Sequence, residues 1–226
     1  MDQPRPPSMP DSIIEKRWHN AEEEQLVVDR ARDAIMSEDG EGWRSFSYRD
    51  TNNIPTIGYG FNLTDGNIQE WIINREGLGQ EWLDGALKDS LASTRHTSAT
   101  TETGSSRGMK GNFALPESDA LDLLDFVIEQ KKAQVDQWYG DVDLNYVQRG
   151  VLVDMAYQSF NFLNDKTKFY KAVHGSNWDE AFKELEENSN KNKIDGIARR
   201  NKERGRVLRE GTRIQQRLQG GHDTLY

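Results

Sequence analysis

Residues 41–65, EGWRSFSYRDTNNIPTIGYGFNLTD, constrain the fold more than any other stretch of the chain. Asp50-Thr51-Asn52-Asn53 is a run of turn formers, residues whose short polar side chains bond back to the local backbone. Thr56, Ile57, Tyr59 and Phe61 favour extended backbone and alternate with Gly58 and Gly60. The pattern predicts strand, tight turn, strand. It also sets three polar groups in order. Glu41 precedes the hairpin, Asp50 follows nine positions later at its tip, and Thr56 six positions after that. An ordinary exposed hairpin with incidental acids is the alternative reading at this point.

The rest of the chain reads as mostly helical. Residues 1–11 hold four of the six prolines and are expected to be disordered or extended. Helical signal starts near Ser12 and resumes at Glu22, where Leu26, Val27, Ala31, Ile35 and Met36 form an apolar stripe. Gly40 is expected to end that helix, leaving Glu41 just beyond its C-terminus. After the hairpin, Asn67 to Leu91 reads as helix broken at Gly77-Leu78-Gly79. Residues 93–111, mostly Ser, Thr, Gly, Arg and Lys, have almost nothing to bury and read as a surface loop or as a mobile lip on a groove. A long amphipathic helix opens at Leu115-Pro116-Glu117, with Pro116 in its first turn, and runs to Trp138. Further helices are expected over Tyr146 to Phe160, Phe169 to Val173 and Trp178 to Leu185, with another around Gly196 to Glu203.

Composition removes several classes of function. The chain of 226 residues contains no Cys, so it has no disulfide and no thiolate metal site. No apolar run reaches the length of a membrane span, and the N-terminus, MDQPRPPSMPDS, has no apolar core of a secretory signal. The net charge of −9 argues against nucleic acid, which requires clustered Lys and Arg. His19, His96, His174 and His222 lie far apart without ligand spacing, and no Ser or Cys nucleophile motif is present.

Glu41-Gly42, Tyr48-Arg49-Asp50-Thr51 and Thr56-Ile57-Gly58-Tyr59-Gly60 together resemble the active-site signature of the phage-type lysozymes, glycoside hydrolase family 24, typified by the lysozyme of the T-even phages. The order Glu, Asp, Thr and both spacings match. Gln148 to Gln158 resembles that family's central core helix, Trp178-Asp179-Glu180-Ala181 is similar to another family segment, and Gly196 to Glu203 resembles its C-terminal Arg-bearing helix. The resemblance spans residues 22–213 as the lysozyme domain, with 93–111 as an insertion, 1–21 as a disordered or docking extension and 214–226 as a tail. It departs from the family at Phe61, where relatives often carry His.

The resemblance implies an α+β fold. A small β-hairpin lobe and a larger, mainly helical lobe would be joined by the long helix, with a substrate groove between them. It implies a muramidase acting on bacterial peptidoglycan without a cofactor or metal. Cleavage of a glycosidic bond needs a proton donor and a second carboxylate. Glu41 is the expected acid, Asp50 the base or water-orienting carboxylate, and Thr56 a hydroxyl that holds the attacking water. Glu38 is the rival acid; the Glu-Gly pair and the offset to Asp50 favour Glu41. Gln158 is expected to line the groove, Arg200 to stand near the acid, and Phe61 to offer an apolar or stacking face. Such an enzyme, made in a host cytoplasm and acting on periplasmic peptidoglycan, needs a holin or a virion to reach its substrate. The −9 charge sits awkwardly with free diffusion onto an anionic wall. Residues 1–36 are available to dock on other virion proteins. A binding or structural module that keeps the fold without turnover is the alternative from another class.

Overall fold

The computed structural model describes residues 21–37, 42–50, 52–92, 111–191 and 195–220. The expectations for the segment before residue 21, for Gly40, for Glu38 and Glu41, for most of the 93–111 run and for the last six residues lie outside the described residues. Within them the fold is α+β: a three-stranded antiparallel sheet and eight α-helices. The chain divides into two units, one of residues 35–127 and one of residues 1–34 with 128–226. Among the described residues no helix is long and apolar enough to cross a membrane.

The first unit contains β1 (Tyr48–Arg49), β2 (Pro55–Ile57) and β3 (Phe61–Asn62), in that order across the sheet. Tyr48 pairs with Thr56, and Thr56 in turn with Asn62. The first turn is where the Asp-Asn cluster predicts it: Asp50 N donates to Ile54 O at 3.0 Å, and Asn53 sits at φ 65°. The second expected strand is shorter than its sequence suggests. Gly58 and Gly60 take φ of 64° and 93° and turn the chain back into β3. A side chain at Gly58 would place its Cβ 2.6 Å from the Phe61 ring, so this position requires glycine for conformation and for space.

α2 (Gly66–Asn74) starts at an N-cap, where Asp65 accepts from Asn67 N at 2.9 Å. It ends before the predicted glycine break, and α3 (Gln80–Ala92) follows. The sheet buries Ile57, Tyr59 and Phe61 with Leu63, Ile72, Leu83, Leu115, Leu123 and Leu124. α4 (Glu117–Tyr139) begins in this unit, and Pro116 lies just outside it, its carbonyl accepting from Ala120 N at 2.9 Å.

The second unit takes in α1 (Ala21–Met36) up to Ala34, together with the C-terminal part of α4. Its centre is α5 (Tyr146–Gln158), closed at its start by a reciprocal capping box between Asn145 and Gln148. Ten consecutive residues of α5, Val147 to Ala156, are buried, so the helix has no solvent face along that length. Three of the ten are polar, and each is held by partners. Gln148 donates to Thr212 Oγ1, and Arg149 bonds Glu24 at 2.6 Å and Asp136 at 2.5 Å, with Lys132 bridging the same two acids. Asp154 meets Arg200 and Arg204. A 3₁₀ turn (Phe160–Phe162), α6 (Lys168–His174), α7 (Trp178–Lys191) and α8 (Asp195–Gly220) complete the unit. α7 runs past the expected end at Leu185.

Candidate active site

The hairpin tip is organised by its own acid. Asp50 Oδ1 accepts from Asn52 N at 2.9 Å and from Ile54 N at 2.7 Å. Thr56, two residues on, is 5% exposed and its Oγ1 donates to Ile54 O at 3.0 Å. The two polar groups expected to manage water are therefore tied to the two peptide groups of one residue. With its proton committed to Ile54, the Thr56 oxygen retains lone pairs that accept from water. Among the described residues, Asp50 Oδ2 takes no part in the cap.

Upstream of β1, Arg44 and Gly58 exchange backbone hydrogen bonds at 3.1 and 2.8 Å. The Trp43 ring lies 5.5 Å from that of Tyr59. Residues 43 and 44 are thus fastened to the β2–β3 turn. Glu41, the expected acid, lies outside the described residues. Phe61 requires a correction: it is 1% exposed, packed under Gly58 and edge-on to Tyr59. It fills the core of the sheet unit and offers no stacking face, because the turn at Gly58 to Gly60 folds its ring inward.

The second unit carries a cleft of about 370 Å³ lined by Met155, Gln158, Ser159, Asn161, Phe162, Asn188, Ile197, Asn201 and Arg204. Gln158 is thus where a groove-lining residue would be useful, in the last turn of α5. Arg200 is 6% exposed, and its Nη2 donates to Asp154 Oδ1 at 2.6 Å. The arginine that reaches the cleft is Arg204. Its Nε donates to Asp154 Oδ2 at 2.6 Å, and its Nη1 to Gln158 Oε1 at 2.6 Å and Asn201 Oδ1 at 2.9 Å. Asn201 Nδ2 then donates to Asn188 Oδ1 at 3.2 Å.

This relay decides what the cleft can offer. An amide whose oxygen already accepts a hydrogen bond still has its NH₂ group to offer a ligand. The oxygens of Gln158, Asn201 and Asn188 each accept a hydrogen bond within the relay, which leaves the NH₂ groups of Gln158 and Asn188 as donors. Asp154 anchors the relay. Burial pushes its carboxyl up, but the charges and hydrogen bonds of Arg204 and Arg200 outweigh this and hold it below the usual carboxylate range. Two guanidiniums thus bracket one carboxylate. The cleft suits a ligand rich in acceptor oxygens, with Met155, Phe162 and Ile197 supplying apolar surface.

Sequence reasoning missed Asp154, Asn188, Asn201 and Arg204. A signal was present: Asp154 interrupts an apolar run, and Asp154/Gln158 and Arg200/Arg204 are both i,i+4 pairs that share one helix face. Among the described residues no group of three or more His, Asp or Glu is arranged to hold a metal ion.

No family profile matches the chain, and no curated protein matches it. Among solved structures, an endolysin from the Escherichia coli O157:H7 phage FAHEc1 aligns with 84% of this chain and 94% of its own. The sequence identity is 15% and the TM-score 0.49.

Proposed function

We propose that the protein is a peptidoglycan-degrading muramidase that hydrolyses the β-1,4 bond between N-acetylmuramic acid and N-acetylglucosamine. The observation that carries this reading is the joint tether of Asp50 and Thr56 to Ile54, in a chain whose Glu41, Asp50 and Thr56 keep the order and spacing of the phage-type lysozymes. In the proposed mechanism Glu41 gives its proton to the leaving glycosidic oxygen. Thr56 accepts a hydrogen bond from a water, and Asp50 takes that water's other proton as it attacks the anomeric carbon. Attack by a water from the opposite face inverts the configuration. Sugars carrying acetamido carbonyls and hydroxyls present the acceptors that the Gln158 and Asn188 donors would meet.

The test is a digest of purified peptidoglycan. The expected products carry muramic acid at the new reducing end, and Glu41→Gln lowers the rate by on the order of 10²–10⁴-fold, the usual contribution of a general acid. Retention of near-normal turnover by Glu41→Gln, with loss in Glu38→Gln, would move the acid three residues upstream. Glucosamine at every new reducing end would replace the muramidase assignment.

We also propose that the enzyme is phage-encoded and carried in the particle for wall penetration. The −9 charge is no handicap to an enzyme delivered mechanically, and residues 1–21 lie outside the stretch that resembles a lysozyme domain.

A further inference from the structure

α8 is a basic helix in an acidic protein. Its sequence holds eight Lys and Arg against three acids, so it carries +5 while the rest of the chain carries −14. The charges fall on two faces. Arg200 and Arg204 point inward to Asp154. Arg199, Lys202, Arg206, Arg209 and Arg213 are all exposed. They recur at spacings of three, four, three and four, which places them on one stripe. At ~1.5 Å rise per residue the stripe is about 21 Å long. The acids on that face, Glu203 and Glu210, are both paired with Arg206. The stripe therefore keeps an excess of positive charge at Lys202, Arg209 and Arg213.

We propose that this face is a cationic anchor for an extended anionic polymer, namely the carboxylate-bearing peptidoglycan itself. The identity of that polymer rests on the function proposed above. Charge complementarity argues for that occupant: the remainder of the chain, at −14, is repelled by an anionic wall, whereas the stripe is attracted to it. The face does not suit a membrane. The large exposed apolar residues described, Leu26, Met36, Ile73 and Leu91, all lie elsewhere, and an interfacial helix needs an apolar side to bury. Nor does it suit a single-stranded nucleic acid, because the stripe's own residues include no aromatic ring on which bases stack and the Phe182 ring beneath Arg209 is buried.

The experiment is cosedimentation of the full chain with purified, intact peptidoglycan, alongside hydrolysis of a short soluble glycan fragment. From about 0.01 M to about 1 M salt the screening length falls from about 30 Å to about 3 Å. Binding is expected to weaken at least tenfold across that range. The Lys202→Glu, Arg209→Glu, Arg213→Glu variant is expected to lose at least tenfold in binding at low salt while cleaving the soluble fragment at the wild-type rate. Arg209 lies over the Phe182 ring at 5.0 Å, so Lys202→Glu with Arg213→Glu alone is the second variant. It should lose binding in part with unchanged thermal unfolding. Wild-type binding in either variant overturns the proposal. So does selective loss of binding to vesicles of equal phosphatidylglycerol and phosphatidylcholine, which assigns the face to lipid. Salt-sensitive self-association abolished by the variants assigns it to a second copy and overturns it too. If the wild type binds in the expected way but cleaves neither substrate, the hydrolase reading fails and the anchor stands.

Discussion

Asp50 and Thr56 are joined through Ile54, whose N–H is accepted by Asp50 Oδ1 at 2.7 Å and whose carbonyl accepts from Thr56 Oγ1 at 3.0 Å. The acid thus has a structural task, capping the turn, and a proposed chemical one. Substitutions separate them. Asp50→Asn keeps an oxygen able to accept both N–H groups, so unfolding in urea should show a loss of no more than about 1 kcal/mol. Hydrolysis should nevertheless fall on the order of 10²–10⁴-fold, because an amide cannot act as a base. Asp50→Ala removes the cap as well and should cost about 2–3 kcal/mol. Wild-type turnover in Asp50→Asn would confine Asp50 to its structural task.

Asp154 is a buried carboxylate whose stability contribution depends on two cations. Asp154→Asn removes the carboxylate that both guanidiniums bond and should cost about 3–5 kcal/mol. The pH dependence follows from a lowered folded value. In the unfolded chain the group protonates near its ordinary value of 3.8, while in the folded chain it holds its charge to lower pH. Its contribution is therefore fully present above about 3.8 and declines as pH falls toward the folded value. Urea midpoints of wild type and Asp154→Asn should be far apart at neutral pH and converge in acid. A constant gap from pH 7 to pH 3 would show that charge is not what Asp154 supplies.

What was legible in the sequence was whatever depends on neighbours along the chain. The Asp50 to Asn53 turn, the Gly77 to Gly79 break and the apolar stripes of α4 and α5 follow from local turn chemistry and periodicity, and the structure has them. The third strand was hidden because Tyr59 and Phe61 favour extended backbone, while the positive φ at Gly58 and Gly60 is visible only once the chain is folded. The same turn decides that Phe61 points inward, which composition cannot reveal. In the cleft, the spacing of Arg200 and Arg204 shows that they share a face. Which of them reaches Gln158 depends on how α8 packs against α5, a tertiary matter.

Arg204 orients the amides that line the cleft without being the only support of Asp154, which Arg200 also bonds. Arg204→Met should therefore disturb ligand binding. By isothermal titration with a glycan fragment we expect about tenfold weaker binding, equivalent to about 1.4 kcal/mol. Gln158→Glu is the informative partner. It keeps an acceptor for Arg204 and so should preserve stability, but it replaces the NH₂ donor with a second oxygen. Affinity should fall although the fold does not suffer. Unchanged affinity in Gln158→Glu would remove the donor role from the cleft.

The final expectation concerns residues 1–21 and the proposed place of the enzyme in a particle. The segment that resembles a lysozyme begins at residue 22, and the buried face of α1 starts only at Val27. The Pro-rich stretch before it has little apolar surface with which to stabilise the body. Removing residues 1–21 should therefore leave hydrolysis of isolated peptidoglycan unchanged. If the stretch docks on another virion protein, the truncated chain should also disappear from purified particles, as read by immunoblot against the full-length control. A truncated enzyme that still enters particles would move the docking surface elsewhere on the chain. Absence of the full-length protein from particles would instead make it a free lysin, with the α8 stripe then the means by which an acidic enzyme is retained on its wall.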